Sequence, residues 1–224
     1  MAPKRLVILC EGHGDEQAAP VLVNKLLAQL DPARQFIFCD TNPFRNCGLT
    51  NLVGKGSVQS WVNKVKAAAK RGNVGAMLLL LDGDYDGMPF NTPEGKRYFC
   101  AKEFATMLAW HAKSAGAGRH FSLAVVFVRQ EFESWLIAGC PEFQNHAPGK
   151  AEDIEARSGA KEWITKHGRP LYKPPIHQAE LTRQMDLASP LLNEMRSYKR
   201  FQNAMRQLVH AVRDLRAVCT PESL

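Results

Sequence analysis

Acidic residues stand where apolar runs end. Glu11 follows Leu6, Val7, Ile8, Leu9 and Cys10. Asp82, Asp84 and Asp86 follow Met77 to Leu81, and Glu131 and Glu133 follow Leu123 to Val128. Continuous apolar runs of this kind belong to parallel strands covered on both faces, and such sheets bind ligands beyond the carboxyl ends of their strands. Carboxylates gathered there repel one another unless a cation neutralises them. A hard, all-oxygen donor set suits Mg²⁺ or Mn²⁺, and the natural substrate of that ion is a phosphate ester. Local roles compete with this one. Asp82 and Asp84, with Gly83 and Gly87, can build a hydrogen-bonded turn, and Asp86 a solvated one. Glu11, Glu131 and Glu133 can each favour the first turn of a following helix.

The elements that must position these acids alternate along the first two thirds of the chain. A strand over Arg5 to Cys10 turns at Gly12 and Gly14 into a helix opened by Asp15, Glu16 and Gln17. That helix carries Val21, Leu22, Leu26, Leu27 and Leu30 at helical spacing, and Pro20 fits only if it lies in the first turn. Phe36 to Cys39 form a second strand, and 40–56 a long loop. Ser57 is placed to cap a helix bearing Val58, Trp61, Val62 and Val65 that ends near Arg71 and Gly72. Val74 to Leu81 form the third strand, Glu94 to Lys113 a helix, Phe121 to Val128 the fourth strand, and Glu131 to Ala138 the start of another helix. Strands separated by helices imply βαβ units in a mainly parallel sheet.

The chain's 224 residues, 45% of them hydrophobic, suffice for an ordinary core. Its net charge of +7 favours polyanionic partners without demanding them. The six cysteines form no CxxC pair and no cluster with histidine, so reduced thiols are expected rather than a zinc site or a disulfide framework. Of the seven histidines, only His13 stands beside a candidate acid. The apolar run behind Lys4 and Arg5 stops at Glu11, too short for a signal peptide or a membrane span, so a cytoplasmic protein is expected. There is no Walker lysine and no serine-hydrolase elbow. From about Pro141 onward prolines and glycines divide the chain into short helical pieces and no strand is expected. This gives a domain at 1–140 and a helical region at 141–224. The last helix carries Tyr198, Phe201, Met205, Leu208, Val212 and Leu215 on one face and Arg196, Lys199, Arg206 and Arg213 on a neighbouring stripe. That stripe can follow a phosphate backbone or simply be solvated, as can Lys173 beside Tyr172.

Glu11 and Gly12 with Glu16 downstream, the pair Asp82 and Asp84, and the run Phe132-Glu133-Ser134-Trp135-Leu136 resemble the Toprim-related bacterial family known as domain of unknown function 4276. Leu171 to Lys173 and Ser197 to Phe201 resemble that family's tail, so the likeness covers most of the chain. His13, Gly14 and Asp15 stand where a typical member has threonine or glutamine, and Asp86 is an added acid. The resemblance implies an α/β, Toprim-like fold: a mainly parallel sheet flanked by helices, with a helical C-terminal region. It also implies a site like that of primases, topoisomerases and overcoming-lysogenisation-defect nucleases, acting on phosphodiesters. On that basis Asp82 and Asp84 are ligands of Mg²⁺ or Mn²⁺, Glu11 is a ligand or general base, and Glu133 serves a second ion or supports the first. Lys173, Arg196, Lys199, Arg206 and Arg213 are the nucleic-acid contacts. The expected function is a metal-dependent nuclease or phosphotransfer enzyme, working with a partner ATPase in anti-phage defence. The alternatives are a non-catalytic adaptor that binds nucleic acid or a protein, and hydrolysis of a small phosphorylated metabolite. A lysine or arginine filling the space among the carboxylates would favour the adaptor.

Overall fold

A computed structural model of the chain describes residues 2–45, 47–48, 51–52, 58–85, 88–92 and 95–222, with the backbone alone for 90–92 and 97. In chain order the elements are β1 (Lys4–Cys10), α1 (His13–Leu30), β2 (Ile37–Cys39), α2 (Gln59–Ala69), β3 (Val74–Leu81), β4 (Pro89–Thr92), β5 (Gly95–Tyr98), α3 (Ala101–Ala112) and β6 (Ser122–Phe127). There follow α4 (Glu133–Gly139), α5 (Ala151–Glu155), α6 (Ala160–His167), α7 (Pro174–Gln184), α8 (Pro190–Glu194), α9 (Arg196–Arg213) and β7 (Cys219–Thr220). Five strands form one parallel sheet in the order β2-β1-β3-β6-β7, while β4 and β5 pair only with each other. The fold is therefore α/β, a parallel sheet flanked by helices with a helical C-terminal region.

The central strands of the main sheet are mostly apolar because each face of the sheet is covered. Leu6, Ile8, Cys10, Leu78, Leu80, Ala124 and Val126 point into one core with α1 and the helices from α4 onward. Val7, Leu9, Met77, Leu79, Leu81, Leu123 and Val125 point into the other, with Trp61 of α2 and Leu108 of α3. Alternate residues thus enter opposite layers. The region 141–224 shares the first of these cores, through Ile154, Trp163, Leu181, Tyr198 and Phe201 among others.

Several expectations give way. The helix expected over Glu94 to Lys113 begins only at Ala101, because Gly95–Tyr98 form β5. Gly95 has φ +124°, a conformation that favours glycine, and the chain there closes a hairpin before α3 begins at Ala101. Pro20 lies inside α1, beyond its first turn, where it removes one intrahelical hydrogen bond but is itself buried against the core. The C-terminal region does contain a strand, because β7 pairs Cys219 with Leu123 and Thr220 with Ala124 at the sheet edge. Ser57, Asp86, Gly87 and Glu94 lie outside the described residues, as do Asn46, Leu49, Thr50 and all of 53–57 in the long loop. All six cysteines are free, and only Cys100 is exposed. Burial pushes the thiols of Cys47 and Cys219 up to about 11 and those of Cys39 and Cys140 up to about 12, so they stay protonated. Among the described residues no helix is long and apolar enough to cross a membrane.

Candidate functional site

The carboxyl edge of the sheet gathers acids from β1, α1, β3 and the β6–α4 turn. Glu11, the first residue after β1, accepts a 2.6 Å hydrogen bond from the Tyr85 hydroxyl at Oε1. Among the described residues, its Oε2 is buried with no hydrogen-bond partner. Asp15, in the first turn of α1, accepts from the Gly12 amide at 3.1 Å and from Gln178 Nε2 of α7 at 3.0 Å. Glu16, one residue on, turns outward to Arg45 at 3.0 Å. His13 also points away: its side chain is exposed, against Arg45 and Glu16.

Asp82 ends β3 and accepts the Phe132 amide at Oδ1, 2.9 Å away, which ties β3 to the start of α4. A side chain on Gly83 would lie 2.3 Å from the Val128 carbonyl oxygen, so only glycine lets the two strand ends approach this closely. Asp84 beyond it is exposed. Glu133 is the first residue of α4 and is buried, with Oε1 accepting the Tyr172 hydroxyl at 2.9 Å. The aromatic run around Glu133 explains its placement. Phe132 and Trp135 sink into the core, Trp135 donating to Ser197 Oγ at 2.9 Å and packing on Tyr198 and Phe201. The apolar anchors fix the helix, and the helix holds the acid at the edge.

Sequence reasoning missed Lys161. It projects from α6 and lies 2.8 Å from Glu131 Oε1, while Glu131 Oε2 accepts the Ala160 amide at 2.8 Å. Glu131 is thus occupied in capping α6 and holding the lysine. No motif marks Lys161, thirty residues after its partner. Asp15 had a signal, since a helix starting at His13 carries it back toward Glu11.

The electrostatics separate these acids from a structural one. Asp40, which follows β2, is held below the usual carboxylate range although it is buried, because the Asn42 amide, Arg71 and Arg5 stabilise its charge. The site carboxyls shift the other way. Burial raises Glu11, with the charges of Asp84 and Asp15 adding to it. Burial also raises Asp15 and Asp84, and it lifts Asp82 well above its ordinary value with help from Asp15 and Glu133. Glu133 is pushed up to about 7, again mainly by burial. The Lys161 charge opposes the shift at all five. Burial disfavours the lysine's own charge, but Glu133, Glu131 and Asp82 outweigh it and hold the ammonium above its usual range.

The donor set fits a hard divalent cation by type. It is all oxygen, its carboxyls are short of positive charge, and Glu11 Oε2 needs a proton or a cation, because an unsatisfied buried polar atom costs about 1–3 kcal/mol. The acids are not drawn into a closed shell: among the described residues no three carboxylate, histidine or cysteine side chains stand close enough to hold an ion.

The predicted basic residues fall elsewhere. Lys173 precedes α7 and is exposed, one residue from Tyr172 on the site wall. Arg196, Lys199, Arg206 and Arg213 are all exposed along α9. The stripe begins near α4, where Ser197 meets Trp135, and ends at the opposite edge of the sheet, where Val212 meets Gly75, about 25 Å away by helical rise.

The sequence model of one family, domain of unknown function (DUF4276), matches residues 10–206, from the last residue of β1 into α9. The chain belongs to the DUF4276 family. That span takes in every acid of the site and Lys161, so the DUF4276 sequence pattern includes the whole carboxyl edge. No curated protein and no solved structure matches the chain.

Proposed function

We propose that this protein is a metal-dependent nuclease or related phosphotransfer enzyme with a Toprim-like site. The observation that carries this reading is the set of carboxyls at the sheet's carboxyl edge, all pushed toward the protonated form, with a buried glutamate oxygen left without a partner. A structural cluster would have paired its charges, as Asp40 does. Glu11, Asp82 and Asp84 would hold Mg²⁺ or Mn²⁺, with Glu133 at a second ion or behind the first. Such an ion would supply charge neutralisation at the phosphate oxygens and a more acidic attacking water. Glu11, its pKa raised and Oε2 free, is suited to take the proton of that water. Tyr85 orients Glu11, and Tyr172 orients Glu133. Lys173 and the α9 stripe would contact the nucleic-acid backbone. The family resemblance adds a partner ATPase and a role in anti-phage defence, and the free cysteines fit a cytoplasmic setting.

One observation favours a second reading. Lys161 already supplies some positive charge among the acids, and a site partly neutralised by its own lysine suits a non-catalytic adaptor. Cleavage assays on DNA and RNA oligonucleotides in Mn²⁺, Mg²⁺ or chelator decide between them. The enzyme reading expects cleavage with either metal, silence in chelator, and a loss of at least roughly a hundredfold in Glu11→Gln, which cannot take a proton. Inactive wild type that still binds nucleic acid, with any partner ATPase present, selects the adaptor. Activity confined to small phosphate esters would select a metabolite hydrolase.

A further inference from the structure

The β4–β5 hairpin stands out from the α/β body. It forms a separate two-stranded sheet, pairing Pro89 with Tyr98 and Asn91 with Lys96, and no strand of the main sheet pairs with it. An isolated hairpin is marginally stable, so its base must be anchored. That anchor is Phe99, whose ring lies 5.4 Å from Tyr85, 5.4 Å from Phe104 and 5.5 Å from Phe127. Backbone hydrogen bonds from Met88 to Tyr85 and from Phe99 to Met88 complete it. The anchor reaches the site directly, because Tyr85 is the residue whose hydroxyl binds Glu11.

Beyond the anchor, the described side chains of the arm face solvent. Tyr98 is 71% exposed, Met88 40%, and Lys96 is exposed. Lys96 and Tyr98, two residues apart on one strand, share a face of the hairpin. An aromatic ring left this open does nothing for the core. A ring and an ammonium side by side on a projecting strand are the combination that single-stranded nucleic acid meets in its binding proteins: the ring stacks on a base and the cation follows the phosphates. Duplex DNA hides its base faces and offers the ring nothing comparable.

We propose that β5 grips single-stranded nucleic acid, with Tyr98 stacking on a base and Lys96 contacting the backbone, so that the strand passes the Glu11, Asp82 and Asp84 edge. This rests on the proposed function for the fate of the strand, but the grip itself is read without cleavage. The experiment measures fluorescence anisotropy of labelled single-stranded DNA and RNA oligonucleotides, and of a duplex, with the full chain in chelator.

Tyr98→Leu, which keeps an apolar side chain but loses the ring face, should weaken binding of single strands roughly tenfold. Tyr98→Phe should bind as wild type does, and Lys96→Ala should lower the salt slope by about 0.7. A stronger effect on DNA or on RNA names the strand. Unchanged binding in Tyr98→Leu, equal losses for strand and duplex, or no strand binding by wild type overturns the arm. The two readings fail separately. Tyr98-dependent binding by a protein that never cleaves keeps the arm and removes the enzyme, whereas cleavage with Tyr98-independent binding does the reverse.

Discussion

At the scale of the residue, the question is what a carboxyl does where water has been removed. Glu133 answers it most sharply: it is 1% exposed, meets the Tyr172 hydroxyl and has its pKa pushed up to about 7. A carboxyl that is harder to ionise in the folded state than in the unfolded one favours folding while protonated. Its contribution is complete below the ordinary value of 4.5 and is lost as pH rises through about 7. In chelator, the melting temperature should therefore fall between about pH 5 and 7.5. Glu133→Gln, neutral throughout and still able to accept from Tyr172, should flatten that fall and be more stable by a few kcal/mol near pH 7.5. Parallel melting curves for the two proteins across this range would contradict the assignment. Glu11, Asp82, Asp84 and Glu133 were legible because each ends an apolar run or sits in a motif. Lys161 was not, since a lysine after an alanine in a stretch of short helices carries no periodic or motif signal, and only tertiary packing brings it to Glu131.

At the scale of the element, periodicity did its work where one face of a long element is buried. The strands Val74–Leu81 and Ser122–Phe127, and the helix Arg196–Arg213, stand close to where their apolar patterns place them. It failed where local propensity opposed backbone geometry. Lys96 and Arg97 are good helix formers, but Gly95 at φ +124° and the pairing of Pro89 with Tyr98 put the segment in a hairpin. Pro20 failed in the opposite sense, for a buried face outweighs one lost helical hydrogen bond.

For α9 the structure confirms the exposure of Arg196, Lys199, Arg206 and Arg213 while Tyr198, Phe201, Met205 and Leu208 are buried. Neutralising the four cations together should leave the melting temperature almost unchanged. It should weaken nucleic-acid binding regardless of sequence, and the salt dependence should flatten by about one unit for each phosphate no longer neutralised. Equal salt slopes for wild type and the quadruple variant would return the stripe to a solvated face.

At the scale of the whole molecule, one sheet organises two cores and leaves its carboxyl edge to the acids. The C-terminal helices are not remote from that edge. Gln178 of α7 binds Asp15, Tyr172 binds Glu133, Lys161 of α6 faces the cluster, and Trp135 binds Ser197 of α9. The region that changes character after Pro141 thus builds one wall of the site that the strands floor. This architecture holds like charges together at a site rimmed by aromatic hydroxyls, and that arrangement is explained if a divalent ion completes it.

Calorimetric titration of Mn²⁺ into the wild-type protein and into the Asp82→Ala, Asp84→Ala double variant tests this claim most directly. Saturable binding is expected in the wild type, with about 2.7 kcal/mol of stabilisation at a hundredfold excess over Kd, and loss of both in the double variant. No saturable binding to wild type, or equal binding to both proteins, would contradict it.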